Sequence, residues 1–301
     1  MRYLSIPNSN LTVSEIGLGC MRLGELDYCD AEKLVLASVE EGVNFFDHAD
    51  IYGDGRCEEV FGALLRNSPG LRSKIIIQSK CGIREGHYDS SAEHILASVE
   101  GSLKRLNTDY LDVLLIHRPD ALTDFEEVGR AFKKLRMEKK VRYFGVSNMN
   151  SAQIEILQKN LPNMLIFNQL HFNVVHASLI DEIIYTNLKS DFAGGLLDYM
   201  RLHDITMQAW SPLQISLDEG TYLDNPEYPE LNAKLEEIGK KYGLSKATVA
   251  LAWILRHPAK IQVIAGTTKV EHLRELVKAS GIEITRKEWY ELYLSAGRTL
   301  P

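Results

Sequence analysis

A regular alternation of short apolar runs with longer amphipathic segments constrains this chain more than any other feature. Apolar runs of four to eight residues, bounded by turn residues, are typical of strands buried on both faces. Eight such runs are present. The predicted strands are 16–19, 42–47, 74–80, 110–117, 141–148, 165–168, 205–209 and 261–264.

The segments between these runs have apolar residues three and four positions apart, which predicts amphipathic helices. The clearest of them are 31–41, 91–105 and 125–138. Strands and helices in alternation indicate βαβ units and a parallel sheet. The 301 residues, arranged as eight strand-helix units, therefore predict an α/β fold, a closed (β/α)8 TIM barrel that spans residues 1–301 as a single domain.

Composition limits the classes of partner. An apolar fraction of 45% can fill a barrel core, and a charged fraction of 25% can cover its surface. The formal net charge of −7 argues against a nucleic-acid partner. No run approaches the length of a membrane span, and the first ten residues lack the apolar core of a secretory signal. We therefore expect a cytoplasmic protein without a membrane partner; the sequence does not indicate its oligomeric state.

The cysteines do not form a metal-binding pattern. Cys20, Cys29, Cys57 and Cys81 are scattered along the chain without the spacing of metal ligands. We expect them to be free, reduced thiols, and we predict no metal site.

Polar residues stand at or next to the ends of predicted strands two to four. They are Asp47, Tyr52, Lys80 and His117. Because active sites of (β/α)8 barrels gather at the C-terminal ends of the strands, we expect these side chains to converge on one mouth.

These residue types suit proton transfer to a carbonyl oxygen. A phenol has a pKa of about 10, and bringing it near 7 takes about 4 kcal/mol. An ammonium about 4 Å away supplies a term of roughly that size, so Lys80 can shift the pKa of Tyr52 while Asp47 keeps Lys80 charged. His117 would then orient the reacting oxygen. The set predicts protonation of a carbonyl oxygen by Tyr52 as hydride arrives at carbon.

Each residue also has an ordinary structural interpretation. Asp47 could cap a strand end, Tyr52 could be a turn aromatic, Lys80 a solvated strand end and His117 the start of a loop. Four such residues at successive strand ends favour the catalytic interpretation.

The sequence resembles the aldo-keto reductase superfamily, in particular bacterial YdhF-like oxidoreductases, from about Leu4 to the C-terminus. The motifs that carry the resemblance are Phe46-Asp-His-Ala-Asp-Ile-Tyr-Gly53, Ser79-Lys80, Ile116-His-Arg-Pro119, Gly145-Val-Ser-Asn148, Asn168-Gln169 and Ala209-Trp-Ser-Pro212. The resemblance implies an NADPH-dependent reductase of aldehydes or ketones. Its catalytic tetrad would be Asp47, Tyr52, Lys80 and His117, with Tyr52 as the proton donor.

The resemblance also implies cofactor contacts. Ser147, Asn148 and Gln169 would hold the nicotinamide carboxamide, and Trp210 would stack on the ring in a place where Tyr is more common. Met21 would line the site near the ring, although a core methionine is an equal alternative. Further contacts are implied for Asp47, Ser211, Leu213, Gly266, Thr267, Thr268, Lys269 and His272.

The phosphate end can also be argued physically. Strand eight leads through Thr267, Thr268 and Lys269 into a predicted helix at 270–280, and a helix start with hydroxyls and a cation suits the adenosine 2′-phosphate. The family commonly has Arg at the position of His272 and Asn at the position of Leu276, so this chain lacks one charge for the 2′-phosphate and one hydrogen bond to the adenine. With Thr267, Thr268 and Lys269 present we still expect NADPH, with NADH as the weaker alternative.

A Rossmann site is not expected. Gly17-Leu-Gly19 is followed by Arg22, where the dinucleotide fingerprint needs its third glycine.

Two segments bear on the shape of the mouth. The stretch 211–228, rich in Asp, Pro, Gly and Tyr, is predicted to be a structureless loop that hangs over the mouth as a lid or binding loop. The chain stops at Pro301, soon after a helix around Trp289, and we expect an open, permissive substrate pocket.

Two other functions compete with this interpretation. One is a cofactor-binding regulatory or auxiliary protein with weak reductase activity, as in the β-subunits of voltage-gated potassium channels. The other, a metal-dependent barrel hydrolase, is disfavoured because no His-x-His or clustered carboxylate set follows the strands.

Overall fold

A computed structural model describes residues 1–161, 163–186, 188 and 194–301. Within these residues eight parallel strands close into one barrel. The strands are β1 Ile16–Gly19, β2 Phe45–Asp47, β3 Ile76–Cys81, β4 Leu111–Ile116, β5 Val141–Ser147, β6 Leu165–His171, β7 Thr206–Trp210 and β8 Gln262–Gly266. Strand β8 pairs with β1 and completes the ring. The predicted (β/α)8 barrel is confirmed; that the whole chain is a single domain stays a prediction.

Helices surround the barrel. They are α1 Tyr28–Glu40, α2 Arg56–Asn67, α3 Ala92–Leu106, α4 Phe125–Met137, α5 Ser151–Asn160, α6 Ser178–Ile184, α7 Leu196–Leu202, α8 Pro229–Tyr242, α9 Lys246–Leu255, α10 Val270–Leu276 and α11 Arg286–Ser295. Short 3-10 helices lie at Leu23–Glu25, Arg72–Lys74 and Val277–Gly281.

Local sequence fixes where several helices begin. Short polar side chains accept hydrogen bonds from the first free amides of α1, α3, α4, α5, α9 and α11, and each such cap stabilises a helix by about 1 kcal/mol. The capping residues are Asp27, Ser91, Asp124, Asn150, Ser245 and Thr285. Helix α1 begins three residues earlier than predicted because Asp27 caps it.

A second apolar cluster fills the N-terminal end of the barrel. An antiparallel hairpin, Tyr3–Ser5 with Thr12–Ser14, covers this end. Its buried side chains Leu4 and Val13 pack in one cluster with Phe45 and other strand residues. Burial of one such side chain is worth about 1.5–3 kcal/mol, so the hairpin is held firmly in place. It closes the end of the barrel opposite the mouth. Polar chemistry is thereby confined to the other end.

The segment after β7 is ordered rather than structureless. Gln214–Ser216 pairs with Gly220–Thr221 in a small antiparallel ladder. Tyr222 is fully buried and donates a hydrogen bond to the Pro212 carbonyl at 2.9 Å, while Asn232 of α8 donates to the Tyr222 carbonyl at 2.8 Å. The predicted structureless loop is therefore wrong in its conformation, because buried backbone and side-chain hydrogen bonds hold the segment.

Cys20, Cys57 and Cys81 are buried free thiols, and Cys29 is an exposed one. Across the described residues, no group of three or more His, Cys, Asp or Glu is placed to hold a metal ion. No helix in the described ranges is long and apolar enough to cross a membrane.

Candidate active site

The fold brings the four predicted catalytic residues together at the mouth of the barrel. Asp47 is the last residue of β2, Lys80 lies near the end of β3, and His117 directly follows β4. Tyr52 lies in the loop between β2 and α2. Because β2, β3 and β4 are neighbours in the barrel, consecutive strand ends present these side chains side by side.

Lys80 is the centre of the cluster. Its ammonium donates to Asp47 Oδ2 at 2.7 Å, to the His48 carbonyl at 2.9 Å and to Tyr52 Oη at 3.1 Å. An ammonium has three donors, so all of them are used. Lys80 is only 1% exposed, which makes these bonds its replacement for water.

The pKa of the two central groups follows from this burial. Burial alone lowers the pKa of the Lys80 ammonium, but Asp47 and Tyr52 together raise it above its ordinary value. Burial raises the pKa of the Tyr52 phenol, and the attraction of Lys80 offsets only part of that rise. The expectation that Lys80 brings this pKa near neutrality is therefore wrong for this structure. Tyr52 keeps its proton, as a proton donor must before the reaction.

His117 is a neutral imidazole. Burial, Lys80 and Arg118 hold its pKa well below the usual range. Its ring meets the Tyr52 ring edge to face, with centroids 5.9 Å apart. No hydrogen bond reaches its Nδ1 atom from the part of the chain that the structure describes, although that atom is buried.

The loop that carries Tyr52 is pinned to the barrel by backbone bonds. The Asp50 amide donates to the Lys80 carbonyl at 3.0 Å, and the Tyr52 amide donates to the Ala49 carbonyl at 3.1 Å. Gly55 then turns into α2 with a φ of 91°, where a side chain would also meet Arg105 Cδ at 2.8 Å. Only glycine fits this turn without strain.

An ion pair with a buried carboxylate, outside the barrel, supports the same strand and loop. Glu58 is fully buried, accepts from Ser79 Oγ at 2.6 Å and pairs with Arg105 at 2.8 Å. Burial, and then the charge of Glu58, raises the pKa of Asp50 to about 6. Sequence reasoning did not single out these residues, because nothing in the local pattern pairs α2 with α3.

Three of the predicted nicotinamide-binding residues lie together beside the tetrad. Asn148 donates to Ser147 Oγ at 2.7 Å, and Trp210 Nε1 donates to Asn148 Oδ1 at 3.2 Å. Ser147 in turn donates to the Gln169 carbonyl at 2.8 Å.

The Gln169 side chain points to the tetrad instead. Its amide nitrogen donates to Asp47 Oδ1 at 3.1 Å. Asp47 is 3% exposed, and both of its oxygens are engaged by protein groups.

Two unpredicted side chains surround Trp210. The His171 ring stacks on it with centroids 4.5 Å apart, and the Arg118 guanidinium carbon lies 5.5 Å from its centroid. A nicotinamide ring stacked on Trp210 would share it with these neighbours. Met21 is 43% exposed, so it is not a core methionine.

Ser211 and Leu213 lie at the start of the ordered segment after β7. Ser211 Oγ donates to Gln214 Oε1 at 2.8 Å. Leu213 is partly buried and packs against the main core.

The predicted phosphate end is partly exposed. Gly266, Lys269 and His272 are exposed, and Thr267 is buried. The Lys269 amide donates to Thr267 Oγ1 at 3.2 Å. The predicted helix at 270–280 is instead α10 followed by a 3-10 helix.

Sequence reasoning missed one cation at this end. Arg22 is exposed and its guanidinium donates to the Gly266 carbonyl at 3.3 Å. Its position three residues after the predicted end of β1 was the available signal. Leu276, at the place of the commoner family asparagine, is buried in the core.

Comparison with known proteins gives one family. The model of the Aldo/keto reductase family matches residues 15–293. A protein from Agrobacterium fabrum named 6-dehydroglucose reductase is 38% identical, and the match covers 96% of each chain. Oxidoreductase YdhF of Escherichia coli is 37% identical over 94% of this chain and 93% of its own.

A solved structure agrees in fold. The aldo-keto reductase from Klebsiella pneumoniae in complex with NADPH superimposes with a TM-score of 0.79. It is 25% identical, and the match covers 97% of this chain and 93% of that one.

Proposed function

This chain belongs to the aldo/keto reductase family, and from that premise we propose that it reduces an aldehyde or ketone to an alcohol with Tyr52 as the proton donor. It is an NAD(P)H-dependent oxidoreductase, and its cofactor is NADPH/NADP. The observation that carries the proposal is the bond from Lys80 Nζ to Tyr52 Oη at 3.1 Å, with the same nitrogen held by Asp47 at 2.7 Å.

Tyr52 can give up its proton when negative charge develops on it. The phenol is neutral in the resting site, because burial raises its pKa. As the proton leaves, the phenolate that forms already has the Lys80 ammonium at hydrogen-bond distance. Such preorganised charge needs no rearrangement during the reaction, which is the main source of electrostatic catalysis.

His117 is assigned to the reacting oxygen. A neutral imidazole can donate one hydrogen bond without competing with Tyr52 for the role of acid. The depressed pKa of His117 keeps it in that neutral form, and its ring lies against the Tyr52 ring. We assign it to orient the carbonyl oxygen toward the Tyr52 hydroxyl.

The residues present fit a nicotinamide cofactor. When bound, NADPH supplies the hydride. Gln169 Oε1 accepts no hydrogen bond from within the described ranges, and Asn148 and Ser147 are joined to the Gln169 backbone carbonyl, so amide and hydroxyl groups suited to a carboxamide stand at this edge of the mouth. Trp210 offers an aromatic face at the same edge.

We assign the adenosine 2′-phosphate to the exposed end after β8. Lys269 is exposed, Thr268 is half-buried, and Arg22 lies at the Gly266 carbonyl. Two cations near one loop favour a ligand with an additional phosphate, so NADPH is expected to bind more tightly than NADH.

The substrate class rests on similarity and on the polarity of the mouth. The relative from Agrobacterium fabrum is named for reduction of 6-dehydroglucose. Arg118, His171 and Trp210 give the mouth of this chain cationic, polar and aromatic groups. We propose hydroxylated aldehydes, including sugar-derived ones, as the first substrates to test.

The test is a panel of aldehydes and ketones, from hydroxylated sugar aldehydes to apolar aromatic ones, with consumption of NADPH followed by its absorbance. The Tyr52→Phe protein is the matched control, since it removes one oxygen from the site. The expected result is turnover of at least one hydroxylated aldehyde by the wild type and near loss of it in the control. Absence of turnover across the panel, with cofactor still bound, would favour the regulatory or auxiliary alternative.

A further inference from the structure

The interior of the barrel contains a chain of buried amide side chains below the catalytic cluster. Its members are Gln78 on β3, Gln169 on β6, Gln208 on β7 and Gln262 on β8. Three of the four are 0% exposed and Gln169 is 3% exposed. A barrel interior is normally filled by branched apolar side chains, so four amides there call for a reason.

The four amides form one hydrogen-bonded series that ends on Asp47. Gln78 and Gln169 each donate to Asp47 Oδ1, at 2.7 and 3.1 Å, and each donates to Gln208 Oε1, at 3.0 and 3.1 Å. Gln208 donates to Gln262 Oε1 at 2.8 Å. Gln262 donates to the Ser14 carbonyl at 2.9 Å.

Both ends of this series accept hydrogen bonds only, and this fixes the direction of every amide. The ionised Asp47 carboxylate requires amide N–H groups to face it. The second N–H of Gln78 and of Gln169 then points to Gln208. Gln208 must therefore turn its oxygen to these two amides and its nitrogen to Gln262. The Ser14 carbonyl at the other end requires the nitrogen of Gln262. The two ends therefore demand the same orientation.

This arrangement leaves one buried oxygen without a hydrogen bond. Gln78 Oε1 is buried without a partner among the residues that the structure describes. A buried acceptor without a partner is unfavourable, yet rotating the Gln78 amide would turn its oxygen toward the Asp47 carboxylate. The structure keeps both N–H groups on their acceptors and leaves the oxygen unpaired.

The series leaves only one Asp47 oxygen for Lys80. Oδ1 accepts from two amides, and Oδ2 accepts from the Lys80 ammonium at 2.7 Å. Because the amides hold Oδ1, the carboxylate cannot rotate about its axis and Oδ2 stays aimed at the ammonium that faces Tyr52. The series of amides thus acts on Tyr52, the proton donor, through Asp47 and then Lys80.

We propose that Gln208 is a positioning residue for the catalytic tetrad: by binding Gln78 and Gln169 at once, it fixes the orientation of Asp47 and thereby of Lys80. Gln78 and Gln169 each bond Asp47 directly, and Gln262 fixes the other end of the series at the closed end of the barrel. This inference rests on the proposed reductase function, since its readout is proton transfer by Tyr52.

The first test is Gln208→Met, which keeps the length of the side chain and removes its hydrogen bonds. We expect kcat for carbonyl reduction to fall about tenfold or more, the usual effect of weakening hydrogen bonds to a charged group. KM for NADPH should change less than about twofold, because Gln208 is not itself a proposed cofactor contact and Gln169, which is one, keeps its hydrogen bond to Asp47. The pH profile of kcat should shift as well, since Lys80 is held less firmly. Gln78→Met should give the same pattern if Gln208→Met does not fold.

A double-mutant cycle separates positioning from general damage. Once Asp47→Asn has removed the carboxylate, Gln208→Met should reduce kcat by less than about twofold further. Thr248→Val is the matched control for loss of a buried hydrogen bond, because Thr248 is fully buried in α9 and bonds the Glu275 carbonyl at 3.0 Å, away from the barrel interior. Its kcat should stay near that of the wild type.

The outcomes are distinguishable. Equal kcat and an unchanged pH profile in folded Gln208→Met would overturn the positioning role. A full additional loss in the Asp47→Asn background would do the same, because it would show that Gln208 does not act through Asp47. An inactive wild type would instead refute the proposed function, before any variant is compared.

Discussion

Lys80 Nζ lies 2.7 Å from Asp47 Oδ2 inside the barrel, and the two side chains are 0% and 4% exposed. Two buried opposite charges stabilise each other, but removal of one of them is strongly destabilising, because the charge that remains has no substitute for its hydration. The same ion pair therefore serves the proposed active site and the stability of the fold.

Removal of one partner should show this. Asp47→Leu leaves the Lys80 charge buried and should lower the free energy of unfolding by about 3–5 kcal/mol. The double variant with Lys80→Met removes both charges and should recover much of that loss. Urea unfolding followed by circular dichroism measures both. A double variant less stable than Asp47→Leu would contradict this account.

Tyr52→Phe should reduce kcat by about 10²–10⁴-fold, the usual contribution of a general acid. Cofactor affinity should stay near that of the wild type, because the lost hydroxyl acts only in the transition state. Steady-state kinetics and fluorescence titration with NADPH separate the two quantities. Retention of more than about a tenth of the rate would move the role of acid to another residue.

Lys269→Ala should weaken NADPH by about tenfold or more and NADH much less, because only NADPH carries the 2′-phosphate. The preference for NADPH should also become less sensitive to salt once this exposed charge is removed. Dissociation constants of both cofactors at low and high ionic strength test this. Lys287→Ala, which removes another exposed cation on α11, is the control. Equal weakening of NADPH and NADH would remove the assignment of Lys269.

Trp210 should report cofactor binding by fluorescence. Trp253 and Trp289 stack on each other with centroids 4.9 Å apart and are buried behind the barrel, so they should respond little. Trp210→Ala should abolish most of the quench by NADPH and weaken binding about tenfold or less, with stacking worth about 0.5–1.5 kcal/mol. Trp210→Tyr should preserve binding and turnover. An undiminished quench in Trp210→Ala would place the nicotinamide elsewhere.

Asp50 should make stability depend on pH. Burial, and then Glu58, raises its pKa to about 6, so the folded protein holds this proton more tightly than the unfolded chain does. The stabilisation is complete below about pH 4, the ordinary range of the group, and is lost as pH rises through about 6. Asp50→Asn should therefore be more stable than the wild type at pH 7, by up to about 3 kcal/mol, and the difference should vanish near pH 4. Urea unfolding of both proteins from pH 4 to pH 7 measures it; a difference independent of pH would refute the raised pKa.

Much of the fold was readable because its signals are local. Burial on both faces leaves continuous apolar runs, as in β4, where all six residues are buried. Predicted strands match the observed ones to within a few residues. The largest differences are three residues: β2 begins at Phe45 because Gly42 turns with a φ of 85°, and β6 runs on to His171. The ordered conformation of the segment after β7 could not be predicted from the sequence. It depends on contacts of Tyr222 with Pro212 of the same segment and with Asn232 of α8, which no local pattern indicates.

The sequence by itself determined the barrel, and it predicted that Asp47, Tyr52, Lys80 and His117 meet at one mouth, since each lies at or shortly after the end of a strand. Only the tertiary structure decided how these groups are tuned. Gln78 and Gln208 are 130 positions apart and meet only once the barrel has closed. The direction of the Tyr52 pKa likewise depends on how deeply the phenol is buried beside Lys80. Desolvation and contacts between distant strands are properties of the folded chain, and no local pattern records them.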